Sequence, residues 1–455
     1  MKKTVQEIMT WLQVEQQLVT NPLITGISIN TRTLQKGDLF IPFKGEQTNG
    51  HHYIAQAIEA GASATLWQRG EEGAPADFPV IYVEDAEQAL QQMAAAYRDE
   101  LRATFIGITG SNGKTSTKDL VAGTLSAKYK VQKTEGNFNN QLGLPLTILS
   151  FDEDVDFAIV EMGMDGFGQI ELLTTLAKPH YAIITNIGEA HMEALGTRAG
   201  IATAKFEIIK GLQKDGVLFY DGDEPLLQDL VAQTPSLKTV SFGFGARNDL
   251  FADTIIGETT GSRFDVHGLV DETFSIQVLG NHQVKNTLAA IGIAHAVGMS
   301  ILEIKTALKN VSLTNMRMQL VNGQRNILFI NDAYNAAPTS VRAALEFMKT
   351  TTLRPEKWLI LGDMLELGED EMAYHRDLAT AITAEDATYI CLFGPRMKVL
   401  YEELQRRYPH IDSIWSADDY TPIIDKIETF ASDQSIILLK GSRGMALEKI
   451  AQRFI

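Results

Sequence analysis

Short apolar runs that stop at glycine or a polar residue recur along the chain, separated by stretches with apolar residues three and four apart. In the first hundred residues "TGISIN", "GDLFIPF", "SATLWQ" and "FPVIYV" predict short strands, and "HYIAQAIEAGA" and "AEQALQQMAAAYRDEL" predict helices. Past the charged segment "YRDELRA", the runs "ATFI", "DFAIVEMG" and "YAIITNIG" are apolar throughout, as buried parallel strands are. "GIATAKFEIIKGL" and "NHQVKNTLAAIGIAHAVGM" have helical periodicity, whereas residues 250–280 read as a small antiparallel set: "LFADTIIG", "SRFDVHG" and "TFSIQVLG". Beyond "NVSLTNMRMQ", strands such as "NILFIND", "KWLILGD" and "SIILLKG" alternate with helices such as "PTSVRAALEFMKT", predicting an open doubly wound sheet. The expected fold class is therefore α/β with three domains. Residues 1–102 form a small mixed α/β domain, 103–313 a central P-loop ATPase-type parallel-sheet domain, and 314–455 a C-terminal Rossmann-like doubly wound domain. No Gly-x-Gly-x-x-Gly follows the first strand of the last domain, so nothing there supports dinucleotide binding.

Composition narrows the function classes. A chain of 455 residues with 45% hydrophobic and 21% charged residues can bury several cores. Its formal net charge of −17, with no basic stretch to offset it, argues against a nucleic-acid binder. A lone cysteine, Cys391, rules out an internal disulfide. The start "MKKTVQEIMTWLQVEQQL" lacks the apolar core of a signal peptide, and no run is long enough for membrane insertion. A cytoplasmic protein is expected.

The stretch "ITGSNGKTSTKDL" follows a predicted strand and opens a predicted helix. The general phosphate-loop signature is Gly, four residues, Gly-Lys-Ser/Thr; counting back from Gly113 places Ile108 where the first glycine belongs. The physical parts are nevertheless there. Gly110 and Gly113 permit a tight turn close to an anion, the helix N-terminus offers N–H groups, Lys114 a positive charge and Thr115 a hydroxyl for magnesium. Other strand ends carry polar groups where ligands collect in open α/β sheets: Glu161, Asn186 and the loop with His191, then Asp363 with Glu366, and Lys440 with Ser442 and Arg443. The segment "TEGNFNNQLGLPLTIL" adds Asn137, Asn139 and Asn140, amides suited to sugar or peptide recognition and equally at home in turns. Polar strand ends in two domains point to an inter-domain cleft for more than one substrate.

Taken in order, "GITGSNGKTS", "GNFNNQLGLPLTIL", "VEMGMDGFGQI", "ITNIGEAHMEALGT", "AKFEI", "GNHQVKNTLAA", "NDAYNAAPTSV", "LGDMLELG" and "KGSRGMALE" resemble the Mur ligases, which form the amide bonds of bacterial cell-wall precursor peptides. "NDAYNAAP", "LGDMLELG" and "GDLFIPFKGEQTNGHHYI" are most similar to the branch that joins D-alanyl-D-alanine to UDP-N-acetylmuramoyl-tripeptide. The Asp-Asn-Pro-Arg motif of the branch adding the third residue is absent. The resemblance implies ATP and Mg2+, as two ions, with those two small molecules as substrates and the chain acting as a monomer. It implies phosphorylation of the tripeptide carboxylate, then attack by the dipeptide amine on the acyl phosphate. It assigns Thr109, Gly110, Ser111, Asn112, Gly113, Lys114, Thr115 and Ser116 to the triphosphate. Thr115 with Glu161 would hold one magnesium and His191 the second. Lys205 matches a lysine that several relatives carry as a carbamate. Asn281, His282 and Asn286 match the adenine side, and Arg317 and Asp332 match C-terminal contacts to phosphate and ribose. Asn30, Thr31 and Arg32 lie where the family more often reads Asp-Ser-Arg and grips the uridine nucleotide. Asn137, Asn139, Asn140 and Asn335 are the expected remaining substrate contacts. Lys114, Lys205, His191 and Arg317 are the expected catalytic set. No Asn-Lys-x-Asp guanine motif or Leu-Ser-Gly-Gly-Gln signature points to a regulatory or transport ATPase.

Overall fold

In the computed structural model, which describes residues 1–258 and 261–455, three sheets of four or more strands follow one another along the chain, beside one two-stranded pair. The first has four parallel strands in chain order: Gly26–Ser28, Asp38–Phe40, Ala64–Gln68 and Val80–Val83. An antiparallel pair, Lys3–Thr4 with Leu23–Ile24, makes this domain mixed. Three α-helices complete it, Val5–Leu12, Ile54–Glu59 and Ala86–Glu100, and the starts of the first and last are encoded locally. Thr4 and Glu7 form a capping box at the start of Val5–Leu12, and the Asp85 side chain accepts from the Gln88 N–H at the start of Ala86–Glu100.

The second sheet has nine strands. From one edge they run Val131–Lys133, Phe157–Glu161, β1 (Thr104–Thr109), Tyr181–Ile184, Val217–Asp221, Lys238–Gly243, Leu250–Glu258, Gly261–Gly268 and Glu272–Ile276. The first seven are parallel and the last two antiparallel. The antiparallel set read from the sequence is thus not separate: Phe242 pairs in parallel with Leu250, and the set extends the central sheet. Packing explains this. Leu250, Ala252, Phe264, Val266, Phe274 and Ile276 alternate inward and share one core with helix α2 (Asn281–Ala296) and with helix α1 (Lys114–Leu125). The third sheet has six strands, with Gln319–Asn322 antiparallel to Leu328–Asn331. Ser435–Lys440, Glu356–Gly362, Tyr389–Phe393 and Ser413–Ser416 then follow in parallel.

The first two sheets share one apolar core, while the third has its own. Met9, Leu90 and Met93 of the first domain belong to the same buried cluster as Leu144, Ile148, Leu173 and Ile184 of the second. Hydrogen bonds reinforce the seam: the Tyr97 hydroxyl donates to the Phe151 carbonyl at 2.6 Å, and Arg98 Nη2 to the Lys178 carbonyl at 2.9 Å. The third domain meets the second largely through polar contacts, such as the Thr339 hydroxyl on Glu189. Two domains therefore form one block, and the third is joined to it by polar contacts and by Leu279 of the second domain, which is buried in the third domain's core.

Candidate active site

β1 ends at Thr109 and α1 begins at Lys114, leaving four residues to turn the chain. Gly110 has φ +150°, and a Cβ there would lie 1.8 Å from Thr185 Oγ1; Gly113 has φ +80°, and its Cβ would meet Asn286 Oδ1 at 2.7 Å. Only glycine fits either position. Ile108 is wholly buried within β1, so the turn starts later than the general signature places it. The neighbouring strand end supports the loop. Ser111 N–H donates to the Asn186 carbonyl at 3.1 Å and Asn112 N–H to Asn186 Oδ1 at 3.0 Å. The Asn112 carbonyl accepts from Thr185 Oγ1 at 2.6 Å and Asn186 Nδ2 at 2.9 Å. Lys114 folds back over the turn, its Nζ donating to the Gly110 carbonyl at 2.8 Å, and burial lowers its pKa.

What this loop lacks is as informative. Thr109 Oγ1, Ser111 Oγ and Asn112 Nδ2 are buried without partners. A buried polar group left unpaired costs about 1–3 kcal/mol, so three at one turn describe a cradle for a ligand's oxygens. A triphosphate fits that donor set, the lysine and the helix N-terminus behind it.

Glu161, buried at the end of its strand, accepts from Thr115 Oγ1 at 3.0 Å and from Asn139 Nδ2 at 2.8 Å. Lys118 Nζ stands 4.0 Å from the same carboxylate. Hydroxyl and carboxylate side by side are hard oxygen ligands of the kind magnesium takes. Among the described residues no group of three or more His, Cys, Asp or Glu side chains is placed to hold an ion. The donor set fits magnesium held by few protein ligands and by phosphate oxygens.

His191 lies beyond the next strand in a left-handed conformation, φ +66°. Its Nδ1 is 3.5 Å from Asp165 and 4.0 Å from Glu366 of the third domain. Burial, then the Lys205 and Lys114 cations, push its pKa down to about 4, so the ring is neutral at pH 7. Lys205 itself is buried, and burial followed by Lys114 drives its pKa well below the usual value, with no carboxylate offsetting them among the described residues.

The opposite wall comes from the third domain. Arg317 Nη2 reaches within 3.5 Å of Thr115 Oγ1, its guanidinium lies 4.1 Å from the Tyr334 ring centroid, and its Nε is buried without a partner. Asp332 pairs with Lys440 at 2.9 Å and accepts from the Met318 N–H at 3.2 Å. Between the walls is a cavity of about 530 Å³ whose lining includes Asn112, Gly113, Ser116, His282, Asn286, Arg317, Asp332 and Asn335. Asn281 is exposed at the start of α2 and is not in the lining. Gln283 and Lys285, which the sequence reading passed over, are. Gln283 Nε2 donates to Ser116 Oγ at 3.4 Å, and Lys285 Nζ pairs with Asp221 at 2.9 Å and Asp223 at 3.2 Å. Helical spacing was the available signal, since residues three and four apart share a face with His282 and Asn286.

Other expected residues lie apart. Asn30, Thr31 and Arg32 occupy a turn after the strand Gly26–Ser28, where Asn30 Oδ1 accepts from the Arg32 N–H at 3.0 Å; none lines the cavity. Asn137 is exposed. Asn140 Oδ1 accepts from the Leu142 N–H at 3.2 Å and the Gly143 N–H at 2.8 Å, in the turn that leads into the helix Gly143–Ser150. Asp363 is fully buried and accepts from the Met397 N–H at 2.9 Å and the Arg396 N–H at 3.2 Å, which makes it a brace between strand ends. Arg443 pairs with Glu448 at 2.6 Å.

Three family models match in succession: "Mur ligase family, catalytic domain" over 23–98, "Mur ligase middle domain" over 108–294 and "Mur ligase, glutamate ligase domain" over 316–443. A Bacillus subtilis UDP-N-acetylmuramoyl-tripeptide–D-alanyl-D-alanine ligase is 40% identical, covering 100% of this chain and 98% of its own; the Escherichia coli protein of that name is 31% identical over 94% and 93%. A crystal structure of MurF from Acinetobacter baumannii superposes with a TM-score of 0.89 at 27% identity, covering 100% of this chain and 98% of that one. MurF from Thermotoga maritima in complex with ADP gives 0.82 at 25% identity, covering 94% and 96%.

Proposed function

The chain belongs to the Mur ligase family, and from that premise we propose how its residues join D-alanyl-D-alanine to UDP-N-acetylmuramoyl-tripeptide at the expense of ATP. It is an ATP-dependent, ADP-forming ligase, and its product is the pentapeptide precursor of peptidoglycan. The observation that carries the site assignment is the loop with buried, unpartnered polar atoms on Thr109, Ser111 and Asn112, whose Asn112 and Gly113 line one cavity together with Arg317.

A carboxylate is a poor acyl donor because its leaving group would be an oxide. In the first step a tripeptide carboxylate oxygen bonds to the γ-phosphorus of ATP while the bond to the β-bridging oxygen breaks, releasing ADP. Loop N–H groups and Lys114 orient the phosphates, and Arg317 approaches from the other side as charge builds on the transferring group. Magnesium, held by Thr115 and Glu161 with a second ion at His191, would neutralise phosphate charge. In the second step the neutral dipeptide amine attacks the acyl carbon, its nitrogen gives up one proton to solvent, and the tetrahedral intermediate collapses as phosphate leaves with the electron pair of the broken C–O bond. His191 stays uncharged at neutral pH and so is free to act as a ligand. A plain ammonium at Lys205 would repel metal ions, and its buried, unoffset charge supports a carbamate there, which replaces a cation with an oxygen ligand. Asn30, Thr31 and Arg32 would hold the uridine end, with Asn139 and Asn335 nearer the peptide. His282 and Asn286 would face the adenosine and Asp332 its ribose. We place the enzyme in the cytoplasm as a monomer; no helix among the described residues is long and apolar enough to cross a membrane.

The test is to incubate the protein with ATP, magnesium, D-alanyl-D-alanine and UDP-muramoyl-tripeptides carrying lysine or diaminopimelate, and to weigh the product. A pentapeptide mass with stoichiometric ADP is expected. Equal phosphate release without a carboxylate donor, or ligation of single amino acids in place of the dipeptide, overturns the assignment.

A further inference from the structure

Asp119 sits on α1, five residues beyond Lys114, and its carboxylate is buried. It does not reach the cavity. Its Oδ2 accepts from both the backbone N–H of Thr314 at 2.8 Å and the Thr314 hydroxyl at 2.6 Å, while Oδ1 accepts from Lys133 Nζ at 2.6 Å. Thr314 lies on the segment that leads from the second domain into the third, three residues before Arg317. That segment is fixed at its far end too, because the Met318 N–H donates to Asp332. Between the two fixed points Met316 and Met318 both hold left-handed conformations, φ +62° and +52°, on either side of Arg317. Side chains with a Cβ adopt that region only when their surroundings hold them there.

We propose that Asp119 and Thr314 form the fixed pivot of the third domain and act as positioning residues for Arg317. One helix then carries both functions. Its first turn presents Lys114 and Thr115 to the phosphates, and its second turn sets where the linker leaves the block. The guanidinium that must meet the transferring phosphoryl group is thereby registered against the same helix that holds the nucleotide. A carboxylate with three donors on it is suited to this, since two of its bonds end on one residue and define the direction of the chain as well as its position. The proposal rests on the reading of Arg317 as a phosphate-facing group.

Thr314 is the cleaner residue to change, because removing Asp119 would leave Lys133 and the buried Lys118, 4.0 Å from it, without its charge. Thr314→Val keeps the shape and the backbone bond and loses the hydroxyl bond; Thr314→Ser restores it. Steady-state phosphate release with all three substrates is measured for Thr314→Val, Arg317→Lys and the double variant, with ADP affinity by calorimetry alongside. We expect Thr314→Val to lower kcat about tenfold, to leave ADP affinity within twofold, and to be largely rescued in Thr314→Ser. In the Arg317→Lys background the same change should cost less than twofold, because the group it positions has already been altered. An equal loss in both backgrounds, a loss matched by weaker ADP binding, or full activity in Thr314→Val each overturns the proposal. Should Thr314→Val fail to fold, Thr314→Ala, which also loses the hydroxyl bond, is measured in both backgrounds: non-additive losses support the pivot and additive ones refute it. A wild-type protein that makes no pentapeptide would instead defeat the functional reading, and the control shows which has failed.

Discussion

Replacing Gly110 with alanine tests the phosphate cradle without touching any charged group. The new Cβ would lie 1.8 Å from Thr185 Oγ1, 3.0 Å from Thr185 Cβ and 3.2 Å from its backbone nitrogen. Two costs follow. Gly110 has φ +150°, and holding a residue with a Cβ in such a conformation takes about 1–3 kcal/mol. Thr185 must also rotate away, giving up its hydrogen bond to the Asn112 carbonyl, about 1 kcal/mol more. A total of about 3 kcal/mol should lower the unfolding transition containing the central domain by about 6–12 °C. Because Thr185 supports Asn112, the loop shifts where the phosphates would lie, and ADP affinity should fall by about tenfold or more. Calorimetric unfolding and ADP titration of the same preparations read both effects. Gly110→Ala/Thr185→Ala, which removes the closest clash, should recover part of the stability and less of the affinity. A Gly110→Ala protein that melts and binds ADP like the parent would refute the account of the loop.

Three further outcomes are expected. Lys114→Ala should reduce phosphate release at least hundredfold while shifting the melting temperature by only a few degrees, since the side chain folds over a loop and not into a core; retained ligation would count against its role. For metal-free protein, His191 has a folded pKa near 4 against 6.5 unfolded, so its neutral form stabilises the fold above pH 6.5, and about 3 kcal/mol is lost as pH falls to about 4. Denaturant unfolding of His191→Asn should show a stability–pH curve flatter than wild type by that amount, and superimposable curves would contradict the shift. Cys391 is buried, and burial pushes its thiol up to about 12, so it should resist a thiol reagent at pH 8 until the protein unfolds. Rapid labelling of the native protein would be the contrary result.

Much of this molecule was legible in the sequence because its information is local. Apolar runs such as "FAIV" and "YAII" announce parallel strands, and Gly110 and Gly113 mark the turn that no other residue can make. What escaped depends on long-range placement. The joining of residues 250–276 to the central sheet requires knowing that α2 covers both. The backbone bonds that Asn140 and Asp363 accept were not visible either, because turns and braces draw on the same residue types as binding. Gln283 and Lys285 went unnoticed because their partners, Ser116 and Asp221, are more than sixty residues away.

The continuous core beneath the first two sheets also bears on which donors are accepted. It makes those sheets a rigid ruler, with the proposed uridine grip at Asn30–Arg32 on one division and the cradle at 110–113 on another. A peptide longer or shorter by one residue moves its terminal carboxylate by about 3.5 Å, more than the length of a hydrogen bond. Chain length would then be measured before any side chain is inspected, and swinging the third domain could not correct a donor of the wrong size.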